Sequence, residues 1–80
     1  MGKEKFTITE LKHLKRIGAR MKELRQKAGY KSFETFAYEK GFSRAQYGKY
    51  EAGANITAIT LIKILAALNV TFEEFFKGFD

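Results

Sequence analysis

Apolar residues recur every three or four positions along most of this chain, and the breaks between runs carry Gly, Ser, Thr or Asn. That period predicts helices. Ile8, Leu11, Leu14, Ile17, Met21 and Leu24 form one stripe of a first helix over residues 9–28, which Gly29 ends. Thr7 and Glu10 have the spacing of a capping box, with Thr9 as an alternative cap. Ser32 caps a second helix over 33–40 that stops at Gly41. Ser43, with Gln46 three residues on, opens a third over 44–52, whose Tyr47 and Tyr50 point inward. Thr57 caps a fourth over 58–68. Its Ile59, Leu61, Ile62, Ile64, Leu65, Ala66 and Leu68 make it apolar nearly all round, which predicts the buried centre of a bundle. Thr71 and Glu74 open a last helix over 72–77. Of its phenylalanines, Phe72 and Phe75 are expected in the core, leaving Phe76 and Phe79 as an apolar patch suited to a dimer interface. The alternative is that all four fold back onto the first helix.

The fold expected is therefore all-α: a compact five-helix domain with an extended first helix, spanning residues 8–80 after a flexible leader over 1–7. Eighty residues support one small domain. Eight Phe and four Tyr supply a core, and the absence of proline suits a chain that is nearly all helix. Without cysteine there is no disulfide framework and no thiolate metal site, which fits a reducing cytosol. No run is long and apolar enough for a membrane span, and the start MGKEKFT lacks the apolar core of a signal peptide.

Charge sharpens this picture. Residues 1–31 carry ten Lys/Arg against three Glu, residues 32–53 three of each, and residues 54–80 two against three, for a net +6. A basic segment on an otherwise balanced chain points to a polyanion, nucleic acid or an acidic membrane. A solvated lysine-rich helix face explains the same numbers.

Residues 32–53 are the stretch around which the rest is organised. The pattern Ser32, Phe36-Ala37, Gly41-Phe42-Ser43, Tyr47, Tyr50-Glu51 and Gly53, continuing into LIKILAALNV, resembles the helix-turn-helix of the lambda-repressor-like family. This is the group of Cro and repressor proteins and of XRE-type bacterial regulators. Ile17-Gly18 and LRQKAG resemble that family's first helix and its end, so the likeness covers roughly residues 16–76. Phe33 stands where the family often has a phosphate-contacting glutamine, Lys40 at a usually apolar position, and Ile56 in place of a frequent proline. One extra residue lies between Gly29 and Ser32.

The resemblance implies that the third helix lies in the major groove of double-stranded DNA. Carried over by position, Arg44, Ala45, Gln46 and Lys49 are the base-contacting residues. Arg44 suits guanine, Ala45 a thymine methyl, Gln46 adenine or a phosphate, and Lys49 guanine or a phosphate. Gly48 fits a close approach of backbone to DNA. Ser32, Ser43 and Asn55 are candidates for phosphates, or simply caps and loop residues. An ion pair between Arg25 and Glu51, joining the first and third helices, is implied in the same way. A homodimer on a pseudo-palindromic site is expected, acting as a repressor in a bacterial or phage-derived cytoplasmic setting. The alternative is a protein-interaction module of the same fold, such as an antitoxin or adaptor with a toxin or other protein partner.

Catalysis has little support. His13 is the one histidine, expected on a solvent-facing side of the first helix, and no carboxylates are spaced for acid–base or metal work. No cofactor is expected. A membrane-surface role would take the apolar stripe of the first helix away from the core.

Overall fold

Every helix of the computed structural model, which describes residues 5–79, begins at a side-chain hydroxyl. Thr7, Ser32, Ser43, Thr57 and Thr71 are the N-caps of α1 (Ile8–Lys27), α2 (Phe33–Lys40), α3 (Arg44–Glu51), α4 (Ala58–Leu68) and α5 (Phe72–Phe75). Each hydroxyl accepts a bond from a first-turn amide that has no intrahelical partner. At α1 the box is complete: the Glu10 amide donates to Thr7 Oγ1 at 3.0 Å and the Thr7 amide to Glu10 Oε1 at 2.8 Å. At α3 it is half-formed. The Gln46 amide of the backbone donates to Ser43 Oγ at 3.3 Å, but the Gln46 side chain does not return the bond. Of the leader expected over 1–7, residues 1–4 lie outside the described residues.

The helices close around Met21, Leu24, Phe36, Ala37, Tyr47, Leu61, Ile64, Leu65, Leu68 and Phe75, drawn from all five elements. Between α2 and α3 the packing is aromatic. Phe36 and Tyr47 rings meet at 5.2 Å, and Phe42, in the turn, stacks at 6.3 Å from Phe36 and 6.1 Å from Tyr47. Gly41 makes that turn at φ +83°, and the Phe42 amide reaches back to the Ala37 carbonyl at 2.8 Å.

Several expectations need correcting. α4 is not buried all round: Leu61, Ile64, Leu65 and Leu68 face the core, while Ile59 and Ile62 are 58% and 45% exposed. A bundle of short helices covers one side of α4, and among the described residues no element covers the other. Along the stripe of α1 only Met21 and Leu24 are buried, Leu14 and Ile17 are half-buried, and Ile8 is 74% exposed, because the helix extends past the elements it packs on. Phe72 is outside the core at 52% exposure. Only Phe75 is fully buried, while Phe76 and Phe79 are half-buried within the chain rather than forming an open patch. α5 ends at Phe75, two residues early, and Phe76 leaves it at ψ 10°.

The C-terminal turn is held by two arginines of α1. Arg20 Nε donates to the Phe75 carbonyl at 2.8 Å and Nη2 to the Glu74 carbonyl at 2.6 Å, satisfying acceptors at the end of α5. Arg16 lies 4.6 Å above the Phe79 ring. Part of the basic charge of α1 is thus structural.

Candidate nucleic-acid interface

α3 has one buried side and one open side. Tyr47 is 1% exposed and Tyr50 half-buried against the core, whereas Arg44, Ala45, Gln46 and Lys49 are exposed. The open side therefore gathers two cations, one amide and one methyl on a single short helix. α3, like α4, has no acidic residue in its first turn, whereas α1 and α2 each have one and α5 has two. Arg44 stands there instead, against the positive end of the helix dipole.

The tilt of this helix is set from α1. Arg25, 3% exposed, donates from Nε to Glu51 Oε2 at 2.7 Å and from Nη2 to Glu51 Oε1 at 3.0 Å. Its Nη1 donates to the Tyr30 carbonyl at 2.7 Å. The bidentate fork fixes both distance and angle between the two helices. The hydrogen bond to the Glu51 carboxylate raises the Arg25 pKa further above its ordinary high value, so the guanidinium stays charged. Beside it, the Tyr47 hydroxyl is buried with no hydrogen-bond partner among the described residues. Burial, and then the neighbouring Glu51 carboxylate, push the Tyr47 pKa well up.

Close packing adds to the tilt. A β-carbon on Gly18 would lie 2.5 Å from the Glu51 carbonyl oxygen and 2.6 Å from that of Tyr50, so α1 touches the end of α3 backbone to side-chain-free backbone. Gly48 serves the interior too. A β-carbon there would meet the Phe33 ring at 2.7 Å, so its small size makes room for Phe33. Phe33 is half-buried, 6.5 Å from the Tyr47 ring. A polar contact residue at that position is replaced here by packing.

The remaining candidates divide. Ser43 is exposed at the start of α3. Ser32 is half-buried, and its hydroxyl donates to Glu34 Oε1 at 2.9 Å while accepting from the Glu34 and Thr35 amides, so its hydrogen-bonding capacity is largely used. Asn55 is exposed in the linker, in a shallow cleft with Phe6, Glu10, His13 and Leu14 of the α1 end. It is thereby tied to the extension of α1 that the sequence left unassigned. Lys40 is exposed, with Nζ 5.8 Å from the Tyr30 ring. Two features escaped the sequence: the Arg20 clamp, and Tyr38, which is 75% exposed beside Arg44. Neither has a local signal, since each partner lies on a different helix.

The sequence model of a helix-turn-helix family matches residues 21–75, more than half of the chain and all of the α2–turn–α3 unit. The protein belongs to the XRE and lambda-repressor-like helix-turn-helix family. That family is one of DNA-binding regulators and not of enzymes. No curated protein matches the sequence. Among the described residues no helix is long and apolar enough to cross a membrane, and no three His, Cys, Asp or Glu side chains cluster as metal ligands would.

Proposed function

We propose that this helix-turn-helix protein is a sequence-specific regulator that inserts α3 in the major groove of double-stranded DNA. The observation that carries the reading is the open side of α3, where Arg44, Ala45, Gln46 and Lys49 stand exposed on a helix anchored by the Arg25–Glu51 pair. Arg44 reads a guanine, Ala45 a thymine methyl, and Gln46 and Lys49 neighbouring base edges; each good bidentate contact is worth ~1–3 kcal/mol of discrimination. Ser43, with the α3 amides, contacts phosphate, as does Asn55; Ser32 does so only by giving up its bond to Glu34.

One such domain makes few contacts, so the active species is a homodimer repressing from a two-fold symmetric site. Exposed Ile59, Ile62 and Phe72 support self-association, since a chain of net charge +6 can meet its copy only over surface poor in like charge. A cytoplasmic role follows from DNA as partner. The same exposed apolar residues are what favour the second reading, a module that acts through another protein.

Selection from a random duplex DNA library at near-physiological salt tests the proposal. A two-fold symmetric enriched motif is the expected result. Binding without base preference that fades as salt rises would reduce the protein to a non-specific polycation.

A further inference from the structure

Arg44 is held in an unusual way for an exposed cation. Among the described residues no carboxylate lies within salt-bridge distance of it. Glu34, which shares its cleft of about 230 Å³ together with Thr35 and Tyr38, is bonded to the Ser32 hydroxyl. What Arg44 does have is the Tyr38 ring, whose centroid is 6.0 Å from the guanidinium carbon. Tyr38 itself has no place in the core. It lies on the outer side of α2, while its neighbours Phe36 and Ala37 are fully buried.

The two ways of restraining an arginine differ in what they leave free. A salt bridge occupies the N–H edges, which are also the edges that recognise guanine. An aromatic ring occupies a π face and leaves the planar fork of donors available. We infer that Tyr38 is a positioning residue for base recognition: it restrains the Arg44 guanidinium before DNA arrives and so lowers the ordering cost of the contact. The inference rests on the reading of α3 as the helix that enters the groove. It assigns to α2, on the far side of the turn from α3, a share in setting sequence preference.

The test is selection from one random duplex DNA library, run in parallel on the unmodified protein, Tyr38→Ala, Tyr38→Phe, Arg44→Ala and the Tyr38→Ala/Arg44→Ala double variant. Thermal melts accompany it; a side chain 75% exposed should leave them unchanged. Arg44→Ala is expected to erase preference at one base position per half-site. Tyr38→Ala should weaken preference at that same position about two- to fivefold, the range of an exposed cation–π contact. Tyr38→Phe should keep it, because the ring and not the hydroxyl is used. In the double variant Tyr38→Ala should have no further effect at that position.

Three outcomes overturn the inference while leaving DNA recognition intact: unchanged preference in Tyr38→Ala, an equal loss at all positions, or a loss that persists without Arg44. If the unmodified protein shows no base preference, the reading of α3 falls and the inference with it.

Discussion

Phe33 and Gly48 fill one space: the Phe33 ring reaches to within 2.7 Å of where a Gly48 β-carbon would stand. The pair ties the first residue of α2 to the middle of α3, directly behind the exposed face. A helical Gly→Ala change ordinarily adds about 1 kcal/mol of stability. Gly48→Ala alone should gain none of it, and is expected to lower the melting temperature because the ring must move out of the contact. In a Phe33→Ala background, Gly48→Ala should be stabilising. Chemical denaturation of the four proteins of this cycle measures the difference, and additive effects would mean the two residues are not coupled.

Gly18 poses a harder constraint, since the atoms facing it belong to the backbone of Tyr50 and Glu51. Carbonyls at the end of a helix cannot turn aside as a ring can. Gly18→Ala should therefore cost about 1–3 kcal/mol as overpacking does. It should also weaken DNA binding by more than the loss of folded protein accounts for, because α3 is displaced. Titration of DNA with protein kept well below its melting temperature separates the two effects.

The Arg25–Glu51 pair should behave as buried pairs do. Arg25→Met leaves a carboxylate at 8% side-chain exposure without its partner, and a loss of about 3–5 kcal/mol is expected. The double variant Arg25→Met/Glu51→Leu removes both charges and should recover much of that loss. Urea unfolding would reveal it; a double variant as unstable as the sum of its single changes contradicts the assignment.

Alkaline pH should expose Tyr47. Its phenol holds the proton more tightly in the folded protein than in the unfolded chain, where a tyrosine ionises near pH 10. This contribution to stability is complete below pH 10 and disappears as the pH rises above it, at about 1.4 kcal/mol per pH unit. Tyr47→Phe should flatten the stability profile between pH 10 and 11.5. The same change removes a buried hydroxyl with no partner among the described residues, so at pH 7 it should leave stability unchanged or raise it by roughly 1 kcal/mol. Melts at pH 7 and across the alkaline range check both parts.

The sequence by itself determined what is settled within a few residues of chain. A hydroxyl and the amide two or three positions on decide where each helix starts, so Ser32, Ser43, Thr57 and Thr71 could be read as caps without any tertiary information. The inward placement of Tyr47 follows likewise from spacing. The Arg25–Glu51 pair has no such local signature, being 26 residues apart, and came into view only through the family resemblance. Tertiary structure alone decided the rest. Periodicity says that Ile59, Ile62 and Phe72 can be buried, but not that no element among the described residues covers them. It cannot show that Phe33 occupies the space above Gly48, that Arg20 ties α1 to the carbonyls of α5, or that Tyr38 flanks Arg44. Those are contacts between surfaces of different helices. They depend on how the helices cross, which the summed packing of the whole core sets and no single stretch encodes.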